Sequence, residues 1–428
     1  MSATPRSRSA QLRRGVRRGG GRLIRRLGLL PEGDPDGLGD DDALRGQSLP
    51  FTVMLYFPDT LTNLYQLRQW YAPLRALDER HRVGVVCLDS RVAAALRSEC
   101  GMPVVCCGRV AVLEELVSRS DVALALYVNH NVRNLHPLRF PTILHAYLGH
   151  GESDKAASAS NQVKAYDFVL VAGEAGRARL ARNLMRYDVD AHVRTIGRPQ
   201  LDGAGRASGG SEEPAARAGG RPTVLYAPTW EGAQPSMAYS SVLSHADDLL
   251  NALLASRRFR VVYRPHPRTG ANRAEFAVAD RRLQELIGHY RAADPDGGHR
   301  VDLDPRWDAR ADPADLLVGD VSAVASDWMS TGKPLILTRP VDPSAVLEPD
   351  GLLSAVPVLI APVAGAVPLV ERELAGGDVL ARRTWVRRAM GDVAAGVATA
   401  RFLDTCDELI ALRGKELRDR AARLAGPP

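Results

Sequence analysis

Two histidines stand out by their neighbours. His150 lies between Gly149 and Gly151 at the end of the apolar run 142–148, with Glu152, Asp154 and Lys155 just beyond. Imidazole is the side chain best suited to proton transfer near neutrality, and flanking glycines let it approach a ligand closely. Glu152 or Asp154 is placed to orient the ring; the plain alternative is a turn carrying a solvent-exposed histidine. His266 closes the run Val261-Val262-Tyr263-Arg264-Pro265-His266-Pro267. Each proline fixes its own φ and biases the residue before it toward an extended conformation, so Arg264 and His266 should project from a stiff segment. Such a segment suits a phosphate clamp. Taken alone, it also reads as an ordinary strand end with a solvated Arg and His.

Three further stretches carry polar groups at the ends of apolar runs. Residues 224–227 stop at Pro228 and present Thr229 and Trp230, a hydroxyl for phosphate and an aromatic plane for a ring, or for packing between domains. Residues 318–333 read as strand, helix N-terminus at Asp320 and Ser322, helix through Asp327, and a stop at Gly332 before Lys333. Free amides at such an N-terminus bind phosphate, and a simple capped helix is the bland reading. The turn 197–199 is followed by Asp202, a cap or a cleft residue. His145, inside its strand, is expected to be packed or hydrogen-bonded in the core.

The elements that must position these groups alternate. Runs 51–57, 82–88, 103–107, 121–128, 142–148 and 167–172 read as strands, with helical stretches at 61–77, 93–99 and 110–118 between them. A second set of strands, 223–227, 259–263, 316–318 and 335–338, follows a Gly-, Ala- and Ser-rich stretch. Alternation of this kind predicts an α/β chain with parallel sheets covered by helices. With 428 residues, one hydrophobic core would be unusually large, so two domains meeting at a cleft are expected. The expected boundaries are an arm and linker at 1–49, a first domain at 50–202, a linker at 203–221, a second domain at 222–384, and a helical segment at 385–428 able to cross back to the first domain.

The front of the chain is unlike the rest. Nine arginines (6, 8, 13, 14, 17, 18, 22, 25 and 26) occur with no acid among them, so the remainder of a chain of net charge +6 is slightly acidic. A basic arm suits an anionic membrane surface or nucleic acid, or is simply a solvated tail; the folded part has no basic aromatic motif for nucleic acid. The short apolar groups near residues 23–30 are interrupted by Arg25 and Arg26 and do not form a secretory signal. Five cysteines without zinc spacing fit a reducing compartment, and no cluster of carboxylates or histidines demands a metal. Residues 351–370 carry no charge, but Pro357, Pro362 and Pro368 argue for short buried strands and turns rather than a membrane span.

Taken together, Gly149-His150-Gly151 with Lys155, Gly197-Arg198-Pro199 with Asp202, Tyr226 to Trp230, Arg264-Pro265-His266-Pro267, and Asp320-Val321-Ser322 through Asp327 to Lys333-Pro334 resemble the successive motifs of the CDP-glycerol glycerophosphotransferase family. The resemblance covers about residues 140–340 in the expected order. It implies a GT-B fold, two Rossmann-like domains facing each other across a cleft, with no cofactor and no metal. It also implies a CDP-glycerol or related donor, a polyprenyl-linked or polymer acceptor in teichoic acid-like synthesis, and a cytoplasmic protein peripheral on the inner membrane face. Arg264, His266, Thr229, Ser322 and Asp327 would then bind the donor phosphates, and His150 with Glu152 would activate the acceptor hydroxyl. Lys155, Asp202 and Trp230 are further cleft candidates. Two positions depart from the family's habit: Glu152-Ser153 stand where Thr-Pro is usual, and Ala323 where a second serine is. The alternatives are glycosyl transfer from a nucleotide sugar and a non-catalytic binding module on the same scaffold.

Overall fold

The computed structural model of the chain describes residues 40–202, 220–304 and 307–425. The arginines of the arm and most of the expected linker, 203–219, lie outside the described residues.

The first domain is a seven-stranded parallel sheet of β1 (Val53–Phe57), β2 (Val83–Cys87), β3 (Val104–Cys106), β4 (Leu124–Tyr127), β5 (Leu144–Tyr147), β6 (Phe168–Val171) and β7 (Val193–Thr195), in the order β3-β2-β1-β4-β5-β6-β7. Every residue of β1 and β2 is buried, and Val53 to Phe57 pair in register with Val83 to Cys87. Continuous burial is what a parallel strand covered on both faces requires, and it is why these strands read as unbroken apolar runs. The domain's helices are α1 (Tyr65–Arg68), α2 (Tyr71–Asp78), α3 (Ser90–Glu99), α4 (Val110–Ser118), α5 (Glu174–Asn183) and α6 (Val189–His192). In α3 the Asp89 carboxylate caps the start by accepting from Arg91 N at 2.7 Å, and Val92, Ala93 and Leu96 form the buried face.

The second domain repeats the plan with β8 (Thr223–Ala227), β9 (Arg260–Tyr263), β10 (Arg300–Val301), β11 (Leu316–Gly319), β12 (Leu335–Thr338) and β13 (Val358–Leu359), in the order β10-β9-β8-β11-β12-β13. Its helices are α7 (Ala246–Ser256), α8 (Ala274–Ala293), α9 (Ala323–Met329) and α10 (Ala366–Leu374). Two helices close the described chain, α11 (Val379–Met390) and α12 (Val397–Ala425). Through Phe402, Leu403, Cys406 and Leu409, α12 enters the core that surrounds β1, β2 and β4.

The structure departs from the sequence expectations at two helices. The stretch 61–77 is not one helix but a 3-10 turn, α1 and α2, broken at Gln69 and Trp70. Pro73 lies four residues after Gln69 and has no N–H to offer its carbonyl, so a continuous helix fails there. The final stretch is likewise two helices, separated at Gly391 and Gly396, both with positive φ. The uncharged segment 351–370 holds a 3-10 turn, β13 and the start of α10, and among the described residues no helix is long and apolar enough to cross a membrane. All five cysteines are buried free thiols, and His145 is a core residue whose Nδ1 lies 2.8 Å from the Tyr127 hydroxyl.

Each sheet reverses its winding at its first strand. In the first domain the switch lies between β1 and β4, in the second between β8 and β11. Open α/β sheets bind ligands outside the carboxyl ends of the strands at that place. The loops leaving β1, β4, β5, β8, β9 and β11 carry the groups described next.

Candidate active site

His150 follows β5 by three residues. Gly149 turns the chain with φ +66° and lends its carbonyl to the Trp70 indole at 2.8 Å. Positive φ is easily reached by glycine, and Trp70 is itself almost wholly buried, so the turn is pinned to the core. Burial drives the His150 pKa down to about 4, assisted by the neighbouring His130, Arg198 and Lys155 and opposed by a backbone hydrogen bond with Val128. The ring is therefore neutral, and its Nδ1 is buried without a hydrogen-bond partner among the described residues.

Glu152 does not orient this imidazole. Its carboxylate accepts from Arg179 Nη1 at 2.9 Å, while Asp154 accepts from Arg179 Nη2 at 2.5 Å and from Leu352 N at 2.5 Å. Arg179 on α5 is only 4% exposed, and a buried guanidinium must be paired. It takes both acids that the sequence places beside His150. Lys155 points across the cleft instead: Nζ donates to Thr229 Oγ1 at 2.8 Å and lies 5.5 Å from the Tyr239 ring centroid. Burial lowers its pKa to about 8, against the pull of Asp320.

In the second domain the loop after β8 is shaped by Asp320, which is fully buried. It accepts from Thr229 N at 2.7 Å, Ser241 N at 3.1 Å and Thr338 Oγ1 at 2.5 Å. Glu231 does the same for the loop after β9, accepting from the backbone N–H groups of Gly270, Asn272 and Arg273 at 2.9, 2.8 and 3.2 Å. Between these loops His266 stacks on Trp230, with centroids 6.2 Å apart, and the Arg268 guanidinium lies 4.1 Å from the centroid of the same indole. Arg268 N donates to His266 Nδ1 at 3.1 Å, which assigns the ring proton to Nε2. Burial, with Lys155, Arg268 and His150 adding to it, pushes the His266 pKa down to about 3. A neutral His266 thus offers one N–H donor.

The other expected phosphate ligands have protein partners. Arg264 pairs with Asp302 at 2.6 Å and also donates to the Asp304 carbonyl. Ser322 caps α9, its Oγ accepting from Ala325 N at 3.2 Å. Asp327 is half of a buried, bidentate ion pair with Arg198 of the first domain, at 2.9 and 2.7 Å. Its position on α9 turns it toward the turn after β7. Asp202 accepts from Thr399 N at 2.6 Å and so caps the first turn of α12.

The two domains meet tightly beside His150. A Cβ on Gly151 would come within 2.6 Å of the Ala323 methyl, so Gly151 cannot gain a side chain without a shift of the facing helix. The structure brings together His150, Lys155, Thr229, Trp230 and His266, and it adds Tyr65. This ring meets His150 at 6.3 Å between centroids and 84° between planes, and His266 at 6.4 Å and 89°. Tyr65, His130, Arg179 and Glu231 carried no sequence signal that marked them. Arg198 stood in the Gly-Arg-Pro turn without an assigned partner.

Two doubly wound domains with a site at their facing switch points define the GT-B architecture, and solved structures agree. The chain is similar to the wall teichoic acid polymerase TagF soaked with CDPG (TM-score 0.54, 11% identity, 96% of this chain and 99% of that one). It is also similar to S. aureus MnaA in its UDP co-structure (TM-score 0.54, 12% identity, 84% and 97%) and to a glycosyltransferase from Rickettsia africae ESF-5 (TM-score 0.50, 12% identity, 84% and 98%). Identities this low speak to the fold. Residues 144–340 match the family described as CDP-Glycerol:Poly(glycerophosphate) glycerophosphotransferase, so the resemblance drawn from the motifs is borne out over the segment that holds His150, His266 and Ser322. Fold and family match together support a transferase. No curated protein matches the chain in sequence.

Proposed function

We propose that the chain transfers glycerol phosphate from CDP-glycerol to an acceptor hydroxyl and releases CMP. The observation that carries this reading is the meeting, across the cleft, of an imidazole with an unpartnered Nδ1 and a second imidazole that presents an N–H. The first is equipped to take a proton and the second to donate a hydrogen bond to phosphate. His150 Nδ1 accepts the proton of the acceptor hydroxyl, whose oxygen attacks the phosphorus that bears glycerol. The bond from that phosphorus to the CMP phosphate oxygen breaks, and the leaving charge is met by His266 Nε2–H and by Lys155. Positioning and charge neutralisation do most of the work in phosphoryl transfer. Lys155 and Thr229 already touch, so an incoming phosphate oxygen finds a cation and a hydroxyl side by side. In this reading the domain at 50–202 receives a polyprenyl-linked or polymer acceptor and the domain at 222–384 binds the nucleotide.

Donor binding tests the reading. Titration calorimetry with CDP-glycerol, CDP-ribitol, CMP-sialate and UDP-sugars should give saturable binding of a CDP-alditol, and His266→Ala should weaken it about tenfold or more, the loss expected of a charge-assisted bond. Selective binding of a UDP-sugar, or unchanged CDP-glycerol affinity in the variant, would sink it.

The basic arm is proposed as an anchor on the inner membrane face. Nine arginines contribute roughly 1 kcal/mol each near an anionic leaflet, so deleting residues 1–26 should strongly weaken sedimentation with anionic vesicles and spare turnover of a soluble acceptor. Undiminished sedimentation after the deletion would remove the arm from that role.

A further inference from the structure

We propose that Tyr65 is a positioning residue of this site: its ring bears on both histidines and fixes the gap in which the acceptor oxygen and the donor phosphorus meet. The inference rests on the transfer reading above. Among the described residues Tyr65 is the one aromatic ring in contact with both His150 and His266, edge to face in each case. The two imidazoles belong to different domains, and His150 is among the groups that hold the His266 pKa down. A ring that touches both therefore sets a distance that neither domain can set alone.

The way Tyr65 is held argues for more than packing. On the same stretch Leu64, Leu67 and Trp70 are almost fully buried and supply the apolar contacts, while Tyr65 stays partly exposed toward the cleft. A lattice of polar side chains fixes its loop. The Asp59 carboxylate accepts from Asn63 Nδ2 and from Asn129 Nδ2 at 2.8 Å each, and Gln66 accepts from Asn129 Nδ2 at 2.8 Å. Gln66 Nε2 in turn lies 3.4 Å from the Tyr65 hydroxyl, and Asn134 Nδ2 donates to the Asn129 carbonyl at 2.8 Å. Asn129, Gln66 and Asn134 are all buried, so every lost bond leaves a desolvated amide. The lattice joins the exit of β1 to the exit of β4, which are the two sides of the first domain's switch point.

The charges around the histidines give the ring a second consequence. His150 faces His130, Arg198 and Lys155, and His266 faces Lys155, Arg268 and His150. All are cations or become so on protonation, and burial keeps both rings neutral among them. Replacing the Tyr65 ring with a small side chain admits water, weakens that burial and lets the rings shift along the cleft.

The test is deuterium exchange at the imidazole C2 position of His150 and His266, followed by mass spectrometry across pH on the full chain, which needs neither donor nor acceptor. In Tyr65→Ala and Tyr65→Ser, which both remove the ring and admit water, the exchange midpoints of both histidines should rise by roughly one pH unit or more as desolvation is relieved. Tyr65→Phe, which keeps the ring and drops the hydroxyl, should restore the parent's midpoints. Turnover in Tyr65→Ala should fall about 10- to 100-fold with little change in KM for CDP-glycerol, the signature of lost alignment. Parent-like midpoints for both histidines in Tyr65→Ala and Tyr65→Ser overturn the proposal. The exchange midpoints decide the role of Tyr65 by themselves, whereas donor binding by titration calorimetry decides the transfer reading.

Discussion

His150→Ala and His150→Gln are expected to slow the chemical step by about 10²- to 10⁴-fold, the range usual for loss of a general base, while donor affinity stays close to that of the parent. The pH dependence follows from the site's own charges. A base acts in its neutral form, which for His150 is fully present above its pKa and lost as the pH falls through it. Without donor that pKa lies at about 4, because burial and the neighbouring His130, Arg198 and Lys155 all oppose protonation. A bound pyrophosphate brings negative charge into the same cleft and reverses the balance, raising the pKa toward the working pH, where a base is most effective. The acidic limb of kcat/KM, which reports the free protein, should therefore lie near 4, and the acidic limb of kcat, which reports the donor complex, should lie above it. Single-turnover transfer at saturating donor across pH, with donor binding measured separately, checks both parts. A His150 variant with near-normal transfer moves the base elsewhere. A variant that loses donor binding in proportion to activity makes His150 a phosphate ligand.

The other large effect is expected at Arg198 and Asp327. Both side chains are buried and bind each other through two hydrogen bonds across the domain boundary. Removing one partner strands the other as an uncompensated charge, so Asp327→Ala or Arg198→Ala should each cost about 3–5 kcal/mol of stability. Removing both together should cost less than the sum, since no charge is then left alone. Denaturant unfolding of the two single variants and the double variant gives the coupling. Additive losses would show that the pair contributes nothing as a pair. Donor affinity of whatever folded Asp327→Asn remains should change little, in contrast to the phosphate contact that the sequence suggested for this residue.

Why some of this was legible in sequence and some was not has a physical basis. Strands buried on both faces read as apolar runs whatever they pack against, so β1, β2 and β4 were plain, whereas β10, with two residues, lies below any such pattern. The break before α2 was available in Pro73 but was outweighed by the helical spacing around it. At the site, the residues that sequence singles out sit where strands end, because local chemistry marks a strand end. Partnership leaves no such mark. Glu152 is two residues from His150 in sequence, yet it serves Arg179, 27 residues on. Tyr65 meets His266 from the start of α1, 201 residues earlier, and nothing near either residue in the sequence records it.

The packing of α12 bears on the order in which this protein can be made. Phe402, Cys406 and Leu409 fill the core around β1, β2 and β4, and all three are fully buried there. A chain that emerges from the ribosome N-terminus first acquires those side chains about 200 residues after Leu201 has passed. Until then the first sheet has an open apolar face, and the second domain, whose core is completed by Trp385, Val386, Ala389 and Met390 of α11 before α12 is made, is free to fold ahead of it. The half of the molecule that is synthesised first is thus the half that is finished last.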